Sequence, residues 1–236
     1  MFMGEVIGTA VLILLGDGVV AGALLNKSKS NSPGWIVITF GWAMAVLFGI
    51  LSSVAVTGGV AHLNPAVTIA LAYQGSVPWG DVGTLIAGQF LGAFIGAVLV
   101  WLAYLAHWEE TSDAGLKLAV FSTGPAIRKT VPNLITEIIG TAMLVIGVLV
   151  IGANANAAPL GFFFVALLVF GIGMSLGGPT GYAINPARDL GPRIAHAILP
   201  IAGKGDSDWN YAWIPVVGPI VGGVLGVALL QAFGLA

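Results

Sequence analysis

The 236-residue chain is 58% hydrophobic and 8% charged, with a mean hydropathy of +1.00 and a net charge of -2. Such a composition describes an integral membrane protein and leaves no basic surface for nucleic acid. The absence of cysteine excludes disulfides, thiolate metal sites and cysteine nucleophiles together.

Taken in chain order, the apolar segments predict six spans at about 2–25, 35–56, 82–105, 134–151, 160–177 and 209–233, each close to the ~20 residues that cross a ~30 Å hydrocarbon core. The opening Met1-Phe2-Met3-Gly4-Glu5 lacks a basic n-region and the segment lacks a small-residue cleavage site, so the first stretch reads as a span and not a signal peptide. Two further apolar stretches, 64–73 and 185–199, are too short or interrupted to span and read as half-helices. Each opens on the same tripeptide, Asn64-Pro65-Ala66 and Asn185-Pro186-Ala187. Asparagine suits the N-cap, where its side chain serves open amides, and proline suits the first helical position, where no N–H is needed. Trp35, Trp79, Trp108, Trp209 and Trp213 stand at segment ends, where interfacial belts are expected. Trp42 lies about 10 Å deeper, at 1.5 Å per residue, and needs another explanation.

The halves resemble each other. Glu5-Val-Ile-Gly-Thr-Ala recurs as Glu137-Ile-Ile-Gly-Thr-Ala, and Gly92 and Gly96 of the third span recur as Gly222 and Gly226 of the sixth. A duplication follows, within one membrane domain over 1–236: repeat 1 about 1–106, a connecting loop about 107–131, repeat 2 about 132–236. Three spans per repeat make the second copy enter from the opposite face, so the two half-helices meet near the midplane, where irregular backbone is tolerated only if buried or lining a cavity. Each half-helix N-terminus carries roughly +0.5 of an elementary charge and repels cations. Asparagine amides donating to a passing oxygen interrupt a proton wire. The expected permeants are neutral solutes, without ions or protons. Arg188, costly at membrane depth, is expected to face a water-filled cavity.

The runs His62-Leu63-Asn64-Pro65-Ala66 and Gly181-Tyr182-Ala183-Ile184-Asn185-Pro186-Ala187-Arg188-Asp189 resemble the major intrinsic protein (aquaporin) family across essentially the whole chain. Asp189 directly after the arginine is similar to the aquaglyceroporin branch. The resemblance implies an all-α membrane protein, six transmembrane helices plus two re-entrant half-helices in an inverted repeat, that passively conducts glycerol and similar small neutral solutes with water. It also implies a homotetramer in the cell membrane, multi-pass and bacterial, with cytoplasmic termini, no enzyme activity and no cofactor or metal.

In the family the selectivity filter combines the arginine, two aromatics and a small residue, which the resemblance carries to Arg188, Tyr182, Trp42 and Gly173. Met44, twenty residues before Asn64, competes with Trp42 for the second aromatic position. Aromatic faces receive the carbon-hydrogen edge of a polyol while arginine and carbonyls bond its hydroxyls. Ala61, His62, Gly181 and Ala183 are candidates for pore-lining carbonyls, with His62 equally suited to plugging a polar gap. The family also implies Glu5 and Glu137 as buried acceptors for the motif loops, against end-of-helix solvation. Asp189 reads as a loop-bracing acceptor, against a solute contact, and the alternatives to filter duty for Arg188 are snorkelling or pairing with Asp189. Asp17, an ionisable group inside the first span, has no evident partner and could equally be solvated near the surface.

Topology presents a conflict. Lys27, Lys29, Lys117, Arg128, Lys129, Arg193 and Lys204 all fall in the first, third and fifth connections. The positive-inside rule makes those connections cytoplasmic, whereas the resemblance implies the reverse. Alternatives are a water-selective channel, a secondary transporter or an ion channel. Transport coupled to ions usually needs paired ionisable groups at the midplane, where the matched asparagines are neutral. No His-Glu-x-x-His run, Gly-x-Ser-x-Gly elbow or P-loop argues for a membrane enzyme.

Overall fold

A computed structural model describes residues 1–235. Among them six helices are long and apolar enough to cross a membrane: α1 (Phe2–Leu24), α2 (Trp35–Thr57), α4 (Trp79–Ala103), α7 (Thr130–Ala153), the span Ala158–Leu176 that contains α8 (Gly161–Leu176), and α10 (Ile214–Ala232). With no water to satisfy backbone groups, these apolar runs close their hydrogen bonds internally as helices. Two short helices, α3 (Pro65–Gln74) and α9 (Pro186–Ile198), are the half-helices. Both start as the tripeptides demand: Asn64 Oδ1 accepts from Ala66 N at 2.9 Å, and Asn185 Oδ1 accepts from Ala187 N at 3.0 Å and Arg188 N at 3.2 Å, each with proline in the first turn.

The duplication is visible in the packing. The backbone of α4 lies directly on α1, and a Cβ on Gly92 or Gly96 would fall 2.3 Å from Val6 O or 2.6 Å from Ala10 O. In the second repeat α10 lies on α7, and a Cβ on Gly222 or Gly226 would fall 2.2 Å from Ile138 O or 2.9 Å from Ala142 O. Ile138 and Ala142 stand one and five residues after Glu137, as Val6 and Ala10 do after Glu5. These glycines therefore serve helix pairing inside the subunit. The halves also exchange their short elements, α3 packing on α10 and α9 on α4.

Several sequence expectations shift. The third span begins at Trp79 and not near Val82, because Asp81 is favourable in the first turn, where the helix dipole welcomes an acid. The sixth begins at Ile214, after a turn that carries Trp209 and Trp213. The connecting loop contains two short helices, α5 (His107–Glu110) and α6 (Ala114–Phe121), the latter capped by Asp113. Trp108 is no belt residue: it is buried, stacks on Phe121 at 5.5 Å, and donates its indole N–H to Trp101 O at 3.0 Å.

The basic residues behind the topological conflict are largely consumed by the fold. Arg193 is fully buried and donates to Asp189, Ser207 O, Asp208 O and Thr123 O. Lys117 is buried with its ammonium on Ala202 O. Lys204 donates to His196 O, Ala197 O and Leu199 O, completing the carbonyls at the end of α9. Lys27 pairs with Glu110, and Arg128 with Asp208. The positive-inside rule counts Lys and Arg whatever acids they pair with, so these contacts explain where the cations sit and leave the conflict standing.

Candidate pore and constriction

The half-helix tips meet at the centre of the molecule because the loops before them are held in strained, reciprocal contact. Leu63 and Ile184, the residues preceding the two asparagines, have positive φ of 55° and 43°. This is an uncommon conformation, most so for the β-branched isoleucine, and it needs surrounding support. Glu5 Oε1 accepts from His62 N at 2.7 Å, and Oε2 from Leu63 N at 2.7 Å and Gln89 Nε2 at 2.8 Å. In the other half Glu137 accepts from Ala183 N at 3.0 Å and Ile184 N at 2.9 Å. Both carboxylates are buried, so solvation at a helix end plays no part for Glu5. With the loops fixed, Asn64 Nδ2 donates to Ile184 O and Asn185 Nδ2 to Leu63 O, both at 2.8 Å. Each amide has two N–H groups, so this clasp uses one and leaves the other to meet an oxygen in the cavity.

One cavity of about 320 Å³ runs past this junction. Asn64, Asn185, Ala61, His62, Ala183, Trp42, Tyr182 and Arg188 line it, opposite apolar Val46, Ile50, Val148, Val165 and Val169. Such a wall with a few convergent polar groups is the usual make-up of a small-molecule site. Pro65, Ala66, Pro186 and Ala187 are buried in the first turns of the half-helices and do not line the cavity. Gly181 also lies off the lining; its φ is +82° and its N–H donates to Gly177 O at 2.8 Å. His62 Nδ1 lies 3.1 Å from Thr68 Oγ1, so its ring is engaged inside the protein.

Trp42, Tyr182 and Arg188 are all on this lining. The Arg188 guanidinium lies 4.0 Å from the centre of the Trp42 ring, a cation–π contact between two buried groups. Met44 is half-buried and away from the cavity. Gly173 contributes space and not lining: a Cβ there would fall 2.8 Å from Tyr182 Cζ and 3.0 Å from its hydroxyl. Trp35 braces the same corner, its indole N–H on Gly173 O at 2.9 Å and its ring edge-on to Tyr182.

Asp189 is committed elsewhere. Its Oδ2 accepts from Thr123 N and Oγ1 at 2.7 and 2.6 Å, and its Oδ1 meets Arg193 at 2.8–2.9 Å. Pairing of Asp189 with Arg188 is thus overturned. Asp17 fills that place: it is fully buried, with Oδ1 3.5 Å from Arg188 Nη1. Sequence reasoning missed Gln89, which bridges Glu5 to Thr68 Oγ1 at 2.9 Å. A lone glutamine in an apolar span was the available signal.

Six spans with two clasped half-helices on one cavity define an aquaporin-like membrane channel. The chain belongs to the major intrinsic protein family, whose pattern it matches over residues 1–230. It is 59% identical over 229 residues, 97% of each chain, to the probable glycerol uptake facilitator protein of Thermotoga maritima. It is 56% identical to the glycerol uptake facilitator protein of Streptococcus pneumoniae, covering 98% of this chain and 97% of that one. The solved aquaglyceroporin from Plasmodium falciparum superposes with a TM-score of 0.85 at 30% identity, over 100% of this chain and 98% of that one.

Proposed function

We infer that the protein is a passive channel for glycerol and similar small neutral solutes, with water alongside. The observation that carries this reading is the pairing of the half-helix clasp with an amphipathic constriction. A polyol lays its carbon edge on Trp42 and Tyr182 while Arg188 and the free asparagine N–H groups receive its hydroxyls. Cations meet two half-helix N-termini and an arginine, and donor amides at the clasp orient each oxygen so that a proton wire is broken. The names of the bacterial relatives support glycerol as the solute.

In this reading Trp42, Tyr182, Arg188 and the space at Gly173 form the selectivity filter, Asn64 and Asn185 the central gate against protons, and Glu5, Glu137 and Asp189 the frame that holds them. The residues Ala61, His62 and Ala183 supply polar backbone along the path, and Gly181 the turn into it. The assembly is a homotetramer in the bacterial cell membrane with one pore per subunit and cytoplasmic termini. That orientation rests on the family resemblance and runs against the Lys/Arg bias of the connections.

Stopped-flow light scattering on proteoliposomes tests the function. Rapid swelling in a glycerol gradient, lost in Asn185→Leu, supports it. Fast water flux without glycerol entry makes the protein a water-selective channel instead.

A further inference from the structure

Asp17 differs from the other buried acids, Glu5, Glu137 and Asp189, in holding no loop. It sits inside α1 with no exposed surface, and among the described residues neither carboxylate oxygen has a hydrogen-bond partner. Isolated, such a group is among the most costly in a protein. Its nearest cation is Arg188, 3.5 Å away. Asp189 cannot neutralise that arginine, being committed to Thr123 and Arg193. Among the described residues the Arg188 side chain has one other protein acceptor, Phe121 O, also at 3.5 Å.

The neighbouring residue makes the placement deliberate. A Cβ on Gly16 would fall 2.1 Å from Trp42 Cζ3, so Gly16 lets the indole lie flat on α1 while Asp17 reaches the guanidinium stacked on that same ring. Symmetry gives an independent argument. Twelve residues after Glu137, where Asp17 stands after Glu5, is Leu149; three residues after Asn64, where Arg188 stands after Asn185, is Val67. One repeat-related pair of positions is ionic and the other apolar, so acid and arginine occur together and both are absent from the corresponding positions.

We propose that Asp17 is the counter-ion of the constriction: a positioning residue that holds Arg188 on Trp42 and sets the charge selectivity of the pore by cancelling the arginine's charge. Resting on the glycerol-channel reading, this explains how a buried arginine can donate to a hydroxyl without turning the constriction into an anion trap. With Asp17 ionised the pair is neutral and a polyol competes well for the guanidinium. With it neutralised, Arg188 and the positive half-helix ends act together on any small monocarboxylate.

The test uses the full-length protein in proteoliposomes, with formate as the probe anion. In wild type, glycerol flux is insensitive to formate. In Asp17→Asn, of the same shape, formate lowers glycerol flux roughly fivefold, the change that ~1 kcal/mol of coupling corresponds to. In Asp17→Asn/Arg188→Val the formate effect disappears, because no cation remains. Thermal stability in detergent gives a second readout should Asp17→Asn fail to fold: Arg188→Val, which strands the carboxylate, is less stable than the double variant. Formate insensitivity of a folded Asp17→Asn, or additive stability effects, overturns the proposal. A wild type that carries no glycerol overturns the underlying reading instead, so the two failures are distinguishable.

Discussion

Changing Glu137 to Gln removes one acceptor and turns it into a donor, at a place where two backbone N–H groups converge. One charge-assisted hydrogen bond, ~1.5–3 kcal/mol, is lost and the other becomes a neutral bond of about 1 kcal/mol. The stranded N–H lies in a buried segment. The loop it leaves holds Tyr182 at φ 41° and Ile184 at φ 43°, each a strained conformation of ~1–3 kcal/mol that persists only while anchored. The expected cost is about 3 kcal/mol, or an apparent unfolding temperature lowered by roughly 6–12 °C for a chain of this size. Glycerol flux falls with it, because Tyr182 and Asn185 flank the released segment. Glu5→Gln is expected to cost only about half as much, since Gln89 can turn its unpartnered Oε1 toward the new amide. Thermal unfolding in detergent paired with stopped-flow flux checks both variants. Equal or greater damage from Glu5→Gln, or a Glu137→Gln protein as stable and as conductive as wild type, refutes the reasoning.

Further outcomes follow from the packing. Gly222→Val should prevent stable folding, with ~3 kcal/mol or more lost, because its Cβ meets a backbone oxygen that no rotamer change can move. Gly171→Ala, with open space around it in α8, should be neutral or raise the unfolding temperature slightly. Arg193→Met strands the buried Asp189 carboxylate and should cost about 3–5 kcal/mol in thermal unfolding, with flux reduced in proportion to the folded fraction. Tyr182→Phe deletes a buried hydroxyl that has no partner, so stability should hold and glycerol flux should stay within about twofold of wild type.

What the sequence disclosed was what its chemistry makes local. An asparagine before a proline caps a half-helix with its own side chain, and glycines four apart mark a close helix crossing wherever they fall, so both repeats could be read from the letters. Trp42 was traceable as an aromatic at the wrong depth for a belt. Hidden were the features whose partners lie far along the chain. Arg193 and Lys117 resemble loop cations until the carbonyls that surround them are assembled, and Trp108 resembles a belt residue until α6 brings Phe121 against it. The short helices α5 and α6 escaped because a helix of one or two turns owes its stability to tertiary contacts more than to propensity. Asp17 was singled out, yet its partner sits on α9, beyond the reach of any local rule.

The exchange of asparagine hydrogen bonds across the junction has a consequence for how the protein is made. Asn64 waits for the carbonyl of Ile184, 120 residues downstream, and Asn185 reaches back 122 residues to Leu63. At typical synthesis rates the first half-helix therefore spends on the order of ten seconds in the translocation machinery without its mate. During that interval its amide and the strained turn before it must be sheltered by water or by the insertion apparatus. Neither amide finds its acceptor until the second tip arrives, so the junction at the centre of the pore is completed late in synthesis.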